Sequence, residues 1–434
     1  MHRTAAAARP WLSPTAQARE AEILAGLPTG SDAIATAVDE LAAESDRIHV
    51  EECVNLNPAT NVMNPAAEAL LSSRLGTRPS LGHPGEKYET GLEAIEQIEV
   101  IAAHLACEVM GTTYAEVRVP SGSIANLIAF MATCRPGDAI IVPPPAIGGH
   151  VTHDRAGAAG LYGLEIHHAP IDAARYTIDV DGLADLAERV RPALITVGGS
   201  LNLTPHPVEA ISDVARATGA RVLFDAAHAC GMLAGQVWPN PLAQGADLIT
   251  MSTYKSLGGP PAGLVLTDDA DLAARIDAVT HPGLTANFDV ANTAALAVAL
   301  LDWVDHGTAY AQAMVDTART LADALADAAV PVFTTTEGPT TTHQLAIHAD
   351  RWGGGQATAD HLRRANVLAS GIGLPTGEGL RLGTPEVVRW GMGPDDMAEL
   401  AGLIAEALDG DPTAVEARTT AFRSRFTQLH HIRG

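Results

Sequence analysis

The chain has 434 residues, 47% of them hydrophobic, enough to bury a large core in two or more domains. Lys and Arg total 27 against 51 Asp and Glu, a formal net charge of −24, which argues against general binding to nucleic acid or anionic lipid. Cys53, Cys107, Cys134 and Cys230 stand singly with no CxxC spacing, so neither a disulfide framework nor a zinc cage is expected.

Pro10, Pro14 and the early alanines predict a loose start with no secretory leader pattern, and no apolar run reaches membrane-spanning length. The expected setting is therefore reduced and cytoplasmic. Residues 1–50 are read as an N-terminal arm, with Ile34, Ala37, Val38 and Leu41 at helical spacing between Gly30 and Asp46. Gly91 to Met110 predicts a long helix, Ala115 to Val119 a strand, and Ile124 to Cys134 a second helix. Short apolar strands follow at Ala139–Val142, Ala193–Val197, Arg221–Phe224, Leu248–Met251 and Gly263–Leu266. Strands separated by helices imply an α/β fold with a large, mostly parallel sheet covered on both faces. Asn292 to Asp305 predicts a helix joining this large domain (51–305) to a smaller C-terminal α/β domain (306–434).

Three turns carry chemistry. Lys255 lies in Ser252-Thr253-Tyr254-Lys255-Ser256-Leu257-Gly258-Gly259-Pro260, a small-polar run closed by a tight turn. Asp225-x-x-His228 follows the strand Val222-Leu223-Phe224. Ser121-Gly122-Ser123 stands between a strand and a helix, where free backbone N–H groups and hydroxyls suit a phosphate. A lysine that forms a Schiff base, a buried aspartate that holds a pyridinium proton and a phosphate cradle together suit pyridoxal 5'-phosphate. His228 can pack on the ring or bond its 3-oxygen. Arg381, in Gly379-Leu380-Arg381-Leu382-Gly383, offers a guanidinium fork for a substrate carboxylate. Gly148-Gly149-His150-Val151-Thr152-His153 brings two histidines at i and i+3. Without a third ligand this reads as a substrate or cofactor loop, and no metal is assigned.

These motifs together resemble the serine hydroxymethyltransferases and their relatives, enzymes of the aspartate-aminotransferase-like PLP fold (fold type I). The resemblance runs from about Val54 to Met397. Pro84-Gly85-Glu86-Lys87-Tyr88 followed by Gly91 is similar to the family's Pro-Gly-Lys-Arg-Tyr-Tyr-Gly-Gly, and Ser121-Gly122-Ser123-x-x-Asn126 to its phosphate loop. Gly148-Gly149-His150-x-Thr152-His153, Asp225-x-x-His228, Tyr254-Lys255-Ser256-Leu257-x-Gly259-Pro260 and Arg381-Leu382-Gly383-Thr384-Pro385 match further family motifs in order. The resemblance implies a seven-stranded sheet domain and a homodimer with active sites shared at the subunit interface. It implies that Lys255 carries the cofactor and Asp225 its pyridinium. Ser121, Gly122, Ser123 and Ser252 would hold the phosphate, and Arg381 the substrate carboxylate.

The departures fall on proton handling and on the folate side. The family's catalytic Glu aligns with Leu81, and the second Tyr of its Tyr-Tyr pair with Glu89. The histidine that stacks on the cofactor ring aligns with Ile147, which thereby takes a cofactor-contact position. The Ser of Ser-Glu-Asn-Tyr is aligned with Asn55, which is placed on the substrate side with His150 and Tyr254. Glu89 or His83 is the candidate to replace the missing acid–base group. The expected activity is making or breaking the Cα–Cβ bond of a small amino acid through a glycine quinonoid. Hydroxymethyl transfer with tetrahydrofolate is one version; an aldolase or transaldolase using an aldehyde co-substrate is the version the departures favour. Transamination, racemisation and decarboxylation on the same cofactor remain the alternative reading.

Overall fold

A computed structural model describes residues 9–434. The predicted loose start is tested only from Arg9 onward, since residues 1–8 lie outside the described residues. The chain divides into two compact units, one ending at Cys53 and one running from Val54 to Gly434.

In the N-terminal unit Pro14 opens a helix rather than a loose segment. Ser13 accepts the Ala16 N–H at 3.2 Å and Pro14, whose missing N–H costs nothing there, begins the helix Pro14–Gly26. A second helix, Ser31–Asp46, covers the predicted amphipathic stretch. Neither helix buries a residue, and Ile23, Leu24, Val38 and Leu41 stay exposed.

The second unit is built on a seven-stranded sheet. Its strands in chain order are β1 (Tyr114–Val119), β2 (Ala139–Val142), β3 (Glu165–His168), β4 (Leu194–Gly198), β5 (Arg221–Asp225), β6 (Leu248–Ser252) and β7 (Gly263–Thr267). Their spatial order is β1-β7-β6-β5-β4-β2-β3. All neighbours are parallel except β7, which runs antiparallel to both β6 and β1. Two reversals cancel, so β1 ends at the same edge as the parallel strands. The central strands are buried along their whole length, as sheets covered on both faces require. Edge strand β3 is half exposed and rich in Glu and His, which is why no apolar run announces it.

A second, antiparallel sheet contains β8 (Gln344–His348), β9 (Ser370–Leu374) and β10 (Gly377–Gly383), with β10 in the middle. The helix Val290–Asp327 has 38 residues and runs through position 305, where the sequence suggests a boundary. Its first half packs into the core of the large sheet through Leu296 and Leu300. Its last turns pack into the core of the small one through Leu321 and Leu325. No helix among the described residues is long and apolar enough to cross a membrane.

Candidate active site

The carboxyl ends of β5 and β6 and the turn after β1 converge on a cavity of about 120 Å³. Ser121, Gly122, Ser123, Ser252, Tyr254 and Lys255 line it, with Asp225, His228 and His150. Open parallel sheets place ligand sites at this edge because strand ends and helix starts leave backbone groups unpaired there.

Ser121 caps the helix Gly122–Thr133, accepting the Ile124 N–H at 3.2 Å. Gly122 is required by close approach. A Cβ there would lie 2.2 Å from the Ser252 hydroxyl oxygen and 3.3 Å from its Cβ. Gly122→Ala is therefore expected to cost about 1–3 kcal/mol through overpacking. Denaturant unfolding checks this, and adding Ser252→Ala, which deletes the clashing oxygen, restores most of the loss.

Asp225 is fully enclosed at the end of β5. One carboxylate oxygen accepts from His153 Nε2 at 2.8 Å and from the Asn126 amide at 3.0 Å; the other accepts the Ala227 N–H at 2.9 Å. Burial pushes the carboxyl up, but His153, Ala227 and Asn126 outweigh it and hold the group well below the usual carboxylate range. Asn126 is itself fixed, its carbonyl accepting from Thr250 Oγ1 at 2.6 Å. The sequence places Asn126 in a phosphate loop; its side chain instead orients the carboxylate. His153, read from the sequence only as the second histidine of a substrate or cofactor loop, is the stronger of the two side chains that hold Asp225.

Lys255 is 7% exposed, with Nζ 3.1 Å from His228 Nε2. Burial drives its amine down to about 8, helped by Arg381 and opposed by Asp225. Only the neutral amine attacks an aldehyde. Capture of pyridoxal phosphate by the cofactor-free protein is thus expected to rise about tenfold per unit below pH 8 and to level off above it. Stopped-flow absorbance measures this. The stability sign agrees: the folded value lies below the unfolded 10.5, so the penalty of a buried ammonium is full below about pH 8 and fades as pH approaches 10.5.

His228 is held well below the usual histidine range, first by burial and then by Lys255 and Arg381. Arg381 NH1 stands 3.2 Å from His228 Nε2. A guanidinium only donates, so Nε2 presents its lone pair. Gln344, which sequence reasoning missed, crosses from β8 and donates to the Ser200 carbonyl at 3.1 Å, which leaves the same nitrogen beside His228 Nδ1 at 3.4 Å. Arg381 donates to the Ser200 carbonyl and, through Nε, to Ser370 Oγ at 2.8 Å. Burial lowers its guanidinium to about 10. His150 is lowered mainly by burial and bonds Thr152 Oγ1 at 2.9 Å.

Three expected site residues lie elsewhere. Ile147 is 2% exposed in the apolar core, in the short turn Pro145–Ile147, and does not line the cavity; His150, three residues on, does. Asn55 is spent on Glu386 Oε2 at 2.7 Å and Thr60 Oγ1 at 2.9 Å. Glu89 lies in the segment 79–91, is half-buried with one buried oxygen lacking a hydrogen-bond partner, and does not line the cavity of its own chain. His83 in the same segment bonds both oxygens of Asp277, at 3.0 and 3.1 Å. It borders a larger cavity of about 430 Å³ against β1, in whose wall Arg118 is paired with both Glu116 and Asp277. That cavity lacks the lysine–aspartate pair and is not where the chemistry sits.

The model of the family described as serine hydroxymethyltransferase matches residues 33–404. The chain belongs to the serine hydroxymethyltransferase family. Within it, an α-methylserine aldolase of Variovorax paradoxus is 61% identical over 405 residues, 92% of each chain. A serine hydroxymethyltransferase of Staphylothermus marinus is 36% identical, over 88% of this chain and 89% of its own. The crystal structure of L-threonine transaldolase from Pseudomonas fluorescens in its internal aldimine state shares the fold. Its TM-score is 0.82 at 24% identity, over 92% of this chain and 94% of that one. This family member is a PLP-dependent enzyme that makes or breaks the Cα–Cβ bond of a small amino acid, with an amino acid and an aldehyde as reactants. The residues present fit that cofactor: a buried amine of lowered basicity, a carboxylate kept ionised in the interior, and a helix start opened by Gly122.

Proposed function

We propose that this enzyme is an aldolase for α-methyl-substituted serine, cleaving it to alanine and formaldehyde. The observation that carries this reading is the 61% and 58% identity to two α-methylserine aldolases, the second over 98% of both chains. The side-chain replacement of the family's catalytic Glu by Leu81 supports it, because that Glu belongs to the proton-handling side of hydroxymethyl transfer.

When bound, pyridoxal 5'-phosphate supplies an electron-withdrawing ring that stabilises the carbanion left at Cα. Lys255 anchors the cofactor, Asp225 keeps its ring nitrogen protonated, and Ser121, Gly122, Ser123 and Ser252 cradle its phosphate. Arg381 binds the substrate carboxylate, while His228, His150 and Tyr254 flank the reacting end. Breaking the Cα–Cβ bond requires removal of the β-hydroxyl proton, and His150, which lines the cavity, is the side chain this reading assigns to that step. The products balance the substrate: the hydroxymethyl group leaves as formaldehyde and Cα regains a proton.

Incubation with α-methylserine, without and with tetrahydrofolate, tests the reading. Alanine and formaldehyde released at the same rate in both support it. A strict folate requirement would reassign the enzyme to hydroxymethyl transfer, and release of carbon dioxide without formaldehyde would sink any aldol reading.

The working unit in this proposal is a cytoplasmic homodimer in which the segment 79–91 carries Glu89 to the partner's site. The support is that Glu89 does not line its own cavity while one of its oxygens is left without a partner. Glu89→Gln and Lys255→Ala are each expected to be inactive alone. Mixed and reassociated, they should recover about one quarter of wild-type activity, the statistical yield of hybrid dimers with one intact site. No recovery, or full activity of Glu89→Gln alone, removes Glu89 from the mechanism.

A further inference from the structure

Arg381 is held in an unusually complete way. Its Nε donates to Ser370 Oγ at 2.8 Å, and Ser370 spends its only proton on Asn57 Oδ1 at 3.2 Å. Asn57 Oδ1 also accepts the Ala59 N–H at 3.1 Å, so the amide cannot turn its nitrogen toward the serine. The Asn57 N–H in turn donates to Asn55 Oδ1 at 3.0 Å, which forces Asn55 Nδ2 to face Glu386 Oε2 at 2.7 Å. Two backbone N–H groups thus fix the direction of every bond from Glu386 to Arg381.

The backbone is tied as tightly. Val54–Asn55 pairs in parallel with Val367–Leu368, two residues before Ser370. The Gly383 N–H donates to the Leu56 carbonyl at 2.7 Å, and a Cβ on Gly383 would come within 2.5 Å of Pro58 Cβ. The segment 54–60 therefore bridges the strand that carries Arg381 and the residue that bonds its Nε. A bidentate grip on a carboxylate depends on the plane of the guanidinium, and this bonding sets that plane.

We propose that Ser370, Asn57, Asn55 and Glu386 are positioning residues that fix the guanidinium plane of Arg381 and thereby set how strongly the site selects amino acids over amines lacking the carboxylate. This rests on Arg381 being the carboxylate clamp. None of the four touches the reacting atoms; each acts through the next. The arrangement also gives Asn55 a place in the chemistry different from direct substrate contact.

The holoenzyme is titrated spectroscopically with serine and with 2-aminoethanol, which has the same skeleton without the carboxylate. Ser370→Ala is expected to weaken serine binding about tenfold, the worth of one hydrogen bond to a charged group. KM for the amino acid rises in step, kcat changes less than about twofold, and 2-aminoethanol binding is unmoved. Ser370→Thr, which keeps the hydroxyl, restores selectivity, and Asn55→Ala shifts it in the same direction as Ser370→Ala. Equal weakening of both ligands, or a fall in kcat at constant KM, overturns the proposal. Arg381→Lys separates the two levels. If it leaves the serine-to-aminoethanol ratio unchanged, the clamp reading itself fails. If it lowers the ratio while Ser370→Ala does not, only the positioning role fails.

Discussion

Lys255→Ala is expected to replace the Schiff-base absorbance band by the shifted band of the free aldehyde and to cut turnover on the order of 10³-fold or more. The band requires a covalent link between the lysine nitrogen and the cofactor, and alanine offers no nitrogen. The cavity would keep its shape, because Nζ is bonded to His228 and the backbone of the turn is held independently of it. Thr253 Oγ1 bonds the Pro260 carbonyl, and Ser256 Oγ bonds the His228 carbonyl at 2.7 Å. The variant should therefore remain folded, with noncovalent cofactor affinity retained through the phosphate cradle. Ultraviolet–visible spectra before and after dialysis, beside a thermal melt, check all three statements. A persisting band would move the covalent link to another residue.

Asp225→Asn ranks second. The side chain keeps its shape, so His153 and Asn126 keep a neighbour, but the interior loses a negative charge. The ring nitrogen of the cofactor would then lack the anion that keeps it protonated, and the carbanion would lose its electron sink. Turnover is expected to fall about 10²- to 10³-fold, the size seen when a buried electrostatic partner of a reacting group is removed. Because the carboxyl is held well below its usual range, the wild-type enzyme should not lose this charge at any mildly acidic pH. Loss of activity below pH 6 would have to come from another group. A pH–rate profile and the cofactor spectrum of Asp225→Asn measure both points; an unchanged kcat would remove Asp225 from the electron-sink role.

What was legible in the sequence was local. Lys255, Asp225, His228 and the Ser121 turn each sit in a short run at the end of a buried strand, and one strand end needs only neighbours in sequence to be recognised. The structure gathers these runs at one edge because the strands are parallel there. What was not legible joins residues far apart in the chain. Asn126 reaches Asp225 across 99 positions, and Gln344 reaches His228 across 116. Asn55 looks like a polar residue free for substrate until Glu386, 331 positions away, takes its amide. Ile147 occupies a cofactor position by motif alignment, but the side chain is directed into the core, and no pattern of residue types reports that direction. The helix expected over Asn292–Asp305 is far longer because it continues along the same core to Val315 and its last turns pack on a different one, and its small-residue pattern does not change where the cores change.

That long helix has a mechanical consequence. At about 1.5 Å per residue it spans about 57 Å as one rod, with most of its length embedded in one core and its last turns in the other. The anchor for the cofactor belongs to one of those cores and the grip on the carboxylate to the other. A hinge between them would have to bend the rod against its own hydrogen bonds. The span between amine and guanidinium is thus set by a stiff member, and adaptation to substrates of different bulk is left to the loops around the cavity. Such a strut also couples the two cores thermally, so that neither melts without stripping apolar surface from the other.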